Sequence, residues 1–440
     1  MQIDALIRPF PSHVRASVTN HAKASRRPLM FALFFAVISF FSDAGGGLYG
    51  KTSDGHEVLY VVLLFFALRG VLKLGNTPRL NLLFSLGTLL LISLLAYCLF
   101  SAAWSEIPLV TLRRAALQFI VLAICMGTFS RTDVIQDDFV GLIAWPVCLV
   151  LMLSYLFLAL LPGYAISTAG WRGVTLNKNT FGMLCAVALL CASYLFVVTR
   201  RIRWILVAVM AAVGLVQSGD MTSTLSMPLV LVVAGAGSLM SFVSGHRRYH
   251  AWVLGAFLLL FLCAYLAYAS GSVPDYDVLI SDVFKHIGRS ESLTGRTRIW
   301  NAVLRNVHYH SPWLGGGYQG FWNGFDSPAS YTTTHSMGYM GQAHDGYVDL
   351  YNDLGYVGLG MLMAVIVTYF CLLWRLKVLA NPEFYFHFCL MLYILISNIT
   401  ESSLLRGMSF MNLLFYASYI RVSSLAARPG RLADPAGRPR

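Results

Sequence analysis

The sequence predicts an all-α polytopic membrane protein with about twelve transmembrane helices and one large loop on the outer side. Three observations predict it. The chain has 440 residues, 57% hydrophobic and only 12% charged, about half the charge of a soluble protein of that length. Apolar runs of about 20 residues, enough to cross a bilayer as a helix, recur from end to end. The basic residues gather in short clusters between those runs, which is the positive-inside pattern. The same clustering explains the net charge of +12 without a nucleic-acid partner.

In order, the predicted spans are 29–43, 57–74, 80–102, 107–128, 139–161, 179–198, 202–218, 222–244 and 250–269, then 347–374, 383–400 and 405–421. With the N-terminus inside, the inner connections are LRGVLKLGNTPR, SRTDVIQDD, TRRIR, SGHRRYH, WRLKVLANPEF and the tail from Arg421. All but SRTDVIQDD are basic, whereas the opposite connections are mixed or acidic, apart from the one carrying Arg172 and Lys178. This alternation puts both termini in the cytoplasm. The chain therefore divides into a basic arm (1–28), nine spans (29–269), an outer loop (270–343), three spans (344–421) and a basic tail (422–440). The arm lacks a small-residue cleavage site after its first apolar run and reads as cytoplasmic. The tail is rich in Pro, Gly and Arg and reads as disordered.

All eight cysteines fall inside apolar runs, placed for neither a disulfide nor a metal site. Within the outer loop, SDVFKHIG and GRTRIWNAVLRNVHYH read as helices, with Pro312 and a glycine run closing the second. A long ordered loop of this kind is usually functional.

The titratable residues concentrate on the outer side. His344, Asp345 and Asp349 open the span at 347–374, Arg296 and Arg298 lie in the large loop, and Arg172, Lys178 and Asp220 lie in two other outer loops. Arg113 and Arg114 sit within a span, about two helical turns below its outer end. A cation at that depth needs a partner or a cavity, so the two are assigned either to an anionic ligand or to a snorkelling, structural role. Histidine exchanges a proton near neutrality; Asp345 and Asp349 are close enough in sequence to orient the His344 ring, and they also suit the dipole of a helix start. Arg296 and Trp300, four apart, share a helix face, either as a packed structural pair or with the guanidinium presented to phosphate. His308 and His310 have an H-x-H spacing, but no carboxylate or cysteine nearby completes a metal-ligand set.

These residues resemble the lipopolysaccharide O-antigen ligases of the O-antigen ligase/polymerase superfamily. Arg172 and Leu176 fit an R-x3-L motif, in WRGVTLNKNTFG. His344, Gly355 and Gly358 fit the spacing of a second motif, with Asp345 where an amide or hydroxyl residue is usual. The GRTRIW and PWLGGGYQGF stretches resemble G-R-x-x-L-W and P-x-L-G-x-G, with Arg296 at the family arginine. The resemblance implies a GT-C-like glycosyltransferase in the bacterial inner membrane, acting at its periplasmic face without metal or other cofactor. It would transfer O-antigen polysaccharide from undecaprenyl diphosphate to lipid A–core oligosaccharide. His344 would be the catalytic base, Arg172, Arg296, Arg298 and Lys178 would bind the diphosphate, and Arg113 and Arg114 would bind it or serve structure.

The chemistry is coherent. Glycosidases usually need a second carboxylate to protonate the leaving group. A diphosphate departs as a stable anion and needs positive charge instead, which leaves one base to take a proton from the attacking hydroxyl. Inversion at the anomeric carbon follows. Two related readings share the donor: an O-antigen polymerase and a protein O-oligosaccharyltransferase. A secondary transporter also fits about twelve spans, but transporters place charge near the midplane and carry repeats, and neither is visible here.

Overall fold

The computed structural model describes residues 65, 85–129, 139–244, 299–301, 303–305, 307, 310–322, 329, 341–378, 383–406 and 409–427. The expected spans at 29–43, 57–74 and 250–269, the arm, most of the large loop and the end of the tail lie outside these residues. Those that are described are mostly helical. The order is α1 (Leu86–Phe100), α2 (Pro108–Phe129), α3 (Phe139–Leu160), the short α4 (Pro162–Ala165), β1 (Ile166–Ser167), β2 (Gly170–Trp171), α5 (Lys178–Thr199), α6 (Arg203–Ser218), α7 (Met221–Ser244), α8 (Gly346–Val378), α9 (Phe384–Ser397) and α10 (Phe410–Ala426).

Among the described residues, five segments are long and apolar enough to cross a membrane: Leu86–Ala103, Pro108–Gly127, Phe139–Leu160, Lys178–Thr199 and Gly346–Leu376. Why they suit lipid is visible on α3. Trp145, Leu149, Met152, Leu153, Leu156 and Leu160 are exposed, while Ile143, Ala144, Val147, Val150, Leu151 and Ser154 are buried. The two sets follow the helical repeat, so one apolar stripe packs on protein and another faces outward. On α6, Ile205, Leu206, Val209, Val213 and Val216 repeat the pattern. Exposed apolar stripes of this size are stable against hydrocarbon, where the helix also satisfies its own backbone.

In the core, α5 packs against α3, α6, α7 and α9, α2 lies on α10, and α8 lies on α1 and α10. Local signals place the ends. Asn177 caps α5 by accepting from the Thr180 amide at 2.8 Å, and Gly219, at φ 64°, terminates α6. The loop after α3 adds a feature the all-α expectation lacks, a two-residue antiparallel hairpin pairing Ile166 with Trp171 and Ser167 with Gly170.

Two elements differ from expectation. The last helix begins at Phe410, not 405. Leu405 is apolar but adopts φ 54°, and its amide donates to Asn412 Oδ1 at 3.0 Å, so the chain turns where hydropathy alone starts a span. The span at 347–374 is not one continuous helix either. Gly355 breaks α8 with φ 62° and ψ −162°, and the Pro312–Gly317 loop enters the break. The Gly316 and Gly317 amides donate to the carbonyls of Asn352 and Asp353, each at 2.9 Å; the amides of Tyr356 and Val357 donate to those of Pro312 and Trp313, at 2.9 and 3.1 Å. The loop thus supplies the hydrogen bonds the helix gives up, which is the condition for irregular backbone at membrane depth. A Cβ at Gly355 would sit 2.3 Å from the Trp313 carbonyl. The two glycine-bearing motifs of the sequence are therefore two sides of one joint.

Candidate active site

Among the described residues, His344, Asp345 and the α5 turn carrying Lys178 lie in or beside short connections between helices. His344 lies two residues before α8 and has φ 54°, a left-handed conformation uncommon for residues other than glycine. Its neighbours hold it there. Asp345 caps α8, its Oδ1 accepting from the Tyr347 and Val348 amides at 2.9 and 3.2 Å. The Gly346 amide donates to the Asn398 carbonyl at 2.7 Å, and a Cβ at Gly346 would lie 2.2 Å from the Asn398 side chain. The sequence His-Asp-Gly is thus a turn, a cap and a close approach.

Asp349 grips the chain on the other side of the histidine. Its carboxylate accepts from the Ala343 amide at 3.2 Å, the Trp322 indole at 2.7 Å and the Ser402 hydroxyl, and pairs with Arg406 at 2.9 Å. The Trp300 indole donates to the Ala343 carbonyl at 2.8 Å, so the GRTRIW stretch ends against the residue before His344. Arg296 and Arg298 themselves lie outside the described residues.

The His344 ring is one-third exposed. Its Nδ1 lies 3.5 Å from Glu401 Oε2 and 3.0 Å from Gln342 Nε2, while that amide also donates to Glu401 Oε2 at 2.9 Å. The other oxygen, Glu401 Oε1, accepts from Asn179 Nδ2. Glu401 therefore joins the histidine to the first turn of α5, where Lys178 lies. Glu401, Gln342 and Asn179 are the residues that sequence reasoning missed. Glu401 stands in TESSLLRG, whose acidic, polar character at the head of a span was the one available signal.

The cations take different positions. Arg172 donates from Nε to the Tyr164 carbonyl and lies 4.3 Å from the centre of the Tyr164 ring; its two Nη groups meet no acceptor among the described residues. Lys178 Nζ donates to the Gly219 carbonyl at 3.3 Å. It is the first residue of α5, where the helix dipole disfavours positive charge. Arg114 is buried and donates to the carbonyls of Gln319 and Trp322, the latter at 3.1 Å, so it holds the YQGFW segment against α2. Arg113 is half-buried on the same turn.

Asp220 follows α6 and is buried. Burial pushes its carboxyl up to about 6, the hydrogen bonds from Ser223 oppose that, and the charge of Glu401 adds to it. Ser223 in turn shares a 2.7 Å hydrogen bond with the Tyr393 hydroxyl. His310 pairs with Glu106 at 3.0 Å, and His308 lies outside the described residues. No group of three or more His, Cys, Asp or Glu side chains able to hold a metal occurs among the described residues.

A bundle of apolar helices with a histidine, buried carboxylates and two basic side chains gathered at one end defines the class, a multi-pass α-helical membrane protein with a polar site at the head of its spans. Residues 221–363 match the family model described as O-antigen ligase, and no curated protein matches the chain. The match runs from α7 through His344 to the second half of α8. It supports an O-antigen ligase-type protein, with glycosyltransferase-like activity of the ligase or polymerase kind in general. Arg172, Lys178 and Glu401 lie outside the matched residues.

Proposed function

We propose that the protein is an O-antigen ligase that transfers O-antigen polysaccharide from undecaprenyl diphosphate to lipid A–core oligosaccharide at the periplasmic face of the bacterial inner membrane. One observation carries the reading. A one-third-exposed imidazole is linked through Glu401 and Asn179 to the first turn of α5, which carries Lys178, whose described hydrogen bond goes to a backbone carbonyl.

The arrangement suits an inverting transfer. His344 Nδ1 faces Glu401 and Gln342, so Nε2 is the nitrogen for the acceptor. For Nε2 to act as base, the ring must carry its proton on Nδ1; the Gln342 amide, which donates to Nδ1 at 3.0 Å, then turns away so that Glu401, at 3.5 Å, receives that hydrogen. The acceptor hydroxyl gives its proton to Nε2 as its oxygen bonds to the anomeric carbon. The bond from that carbon to the diphosphate oxygen breaks, and the diphosphate leaves with the electron pair. Arg172 and Lys178 provide fixed positive charge for the developing anion, with Arg296 and Arg298 as further donors. Asp345 and Asp349 orient His344 through the backbone on either side of it. Because the diphosphate needs no proton to depart, the reaction needs no metal or other cofactor. Both substrates are lipid-anchored, and confinement near one plane lowers the entropic cost of encounter.

Transfer by the purified full chain from a polyprenyl-diphosphate-linked O-unit tests the reading, with core–lipid A and a second O-unit offered in parallel. Product on core–lipid A after exhaustive chelation is the expected result. Product on the O-unit alone makes the protein a polymerase. Transfer to neither, with uptake in sealed vesicles, makes it a transporter.

A further inference from the structure

The hairpin after α3 leaves Arg172 little freedom. Its amide donates to the Ala165 carbonyl at 2.9 Å, and its carbonyl accepts from the Thr175 amide at 3.0 Å and the Thr175 hydroxyl at 2.7 Å. The side chain is fixed as well. Nε donates to the Tyr164 carbonyl, and the guanidinium lies 4.3 Å from the centre of the Tyr164 ring. That ring is itself held. Phe157 of α3 meets it edge-on, with centroids 6.0 Å apart, and its hydroxyl donates to the Val174 carbonyl at 3.4 Å. One residue thus takes both the Nε hydrogen and a face of the guanidinium, and what remains for a ligand is the pair of Nη groups.

The hairpin also has a seat. Gly170 has φ 139°, and a Cβ there would lie 2.2 Å from the Ser218 carbonyl oxygen, so β2 rests on the end of α6. The next carbonyl, that of Gly219, accepts from Lys178.

We propose that Tyr164 is a positioning residue for Arg172: it stacks on the guanidinium and takes the Nε hydrogen, so that only the Nη fork is presented to the diphosphate of the donor. The proposal rests on the reading of Arg172 as a diphosphate ligand. A free arginine gives up many rotamers when it binds, whereas one already stacked and bonded gives up few. Two parallel N–H donors then match two oxygens of a phosphate. Tyr164 exchanges no proton and touches no reacting atom; it acts through Arg172.

The test has a substrate-free arm and a kinetic arm, both on the purified full chain. With 13C,15N-labelled arginine, the Arg172 guanidinium signals are identified by their loss in Arg172→Ala. Wild type and Tyr164→Phe are expected to show them displaced by the ring current, and Tyr164→Leu to return them to the range of an unstacked arginine. In the transfer assay, Tyr164→Leu should lower kcat/KM for the donor by roughly 2- to 30-fold, the span of a cation–π contact from exposed to desolvated. Tyr164→Phe, which keeps ring and carbonyl, should retain the wild-type value. In an Arg172→Ala background, Tyr164→Leu should cost nothing further, because its effect runs through the guanidinium. Wild-type signals without a ring-current displacement would overturn the proposal whether or not the variants fold. An equal loss with and without Arg172 would also overturn it, leaving Tyr164 a strut of the hairpin. Displaced signals that depend on Tyr164, in a protein that transfers nothing, would end the ligase reading and leave the stack standing.

Discussion

Two glutamates, one buried and one mostly covered, are held at opposite ends of the bundle in different ways. Glu383, before α9, is gripped by Arg421 through both carboxylate oxygens, at 3.0 and 2.9 Å, with His387 Nε2 at 3.5 Å. Burial raises its pKa, but the Arg421 charge and the hydrogen bonds from His387 and Arg421 outweigh that and bring it to about 2. The charge is cancelled in place, next to a hydrogen-bonded group of His387, Ser418 and Tyr369. At the other end, Glu401 meets the amides of Asn179 and Gln342 and a partly exposed imidazole, while Arg172 and Lys178 nearby donate to carbonyls. The Glu383 end is a clamp; at the Glu401 end the carboxylate is held by side-chain amides beside a partly exposed imidazole.

Substitutions can break or sharpen that contrast. The largest expected effect is at His344. His344→Ala should lower transfer by about 10²- to 10⁴-fold, the usual contribution of a general base, with the core–lipid A intact and the long ladder absent on a lipopolysaccharide gel. Arg421→Met should instead cost about 3–5 kcal/mol of stability, because it leaves Glu383 buried and uncompensated; a thermal melt reads this, and an unchanged melt would end the clamp reading. Arg172→Ala should reduce kcat by roughly 10²- to 10³-fold, as for loss of one transition-state donor, with normal insertion and an unchanged melt.

The smallest effects concern pH. Glu383 has a depressed pKa in the folded state, so its stabilisation is complete above about 4.5 and fades as pH falls towards about 2. Asp220 is shifted upward, so its contribution is complete below its ordinary value of 3.8 and is lost as pH rises through about 6. Asp220→Asn should therefore flatten the dependence of melting temperature on pH between about 4 and 6, and Arg421→Met should flatten it below about 4.5. Melts across that range separate the two.

Much of this was legible in the sequence. The helices α2, α3 and α5 to α7 begin and end within a residue or two of the apolar runs, because a long apolar stretch between polar breaks sets a helix's extent. The reading of His344, Arg172 and Lys178 as facing one site rested on the alternation of basic loops; each lies in or beside a connection between helices. Less legible was the division of labour. Arg114 looked like a ligand for an anion as much as a strut, and only the YQGFW segment folded against it makes it a strut. Asp345 and Asp349 looked alike; one caps α8 and the other binds Arg406, Trp322 and Ala343.

By itself the sequence determined where the apolar helices run among the described residues, because that depends on local hydropathy. Tertiary structure decided what faces His344 and where α8 breaks. Glu401 lies 57 positions from His344 and Pro312 lies 43 from Gly355. No period or spacing encodes such pairings: they arise when buried carboxylates and interrupted backbone must find hydrogen-bond partners away from water.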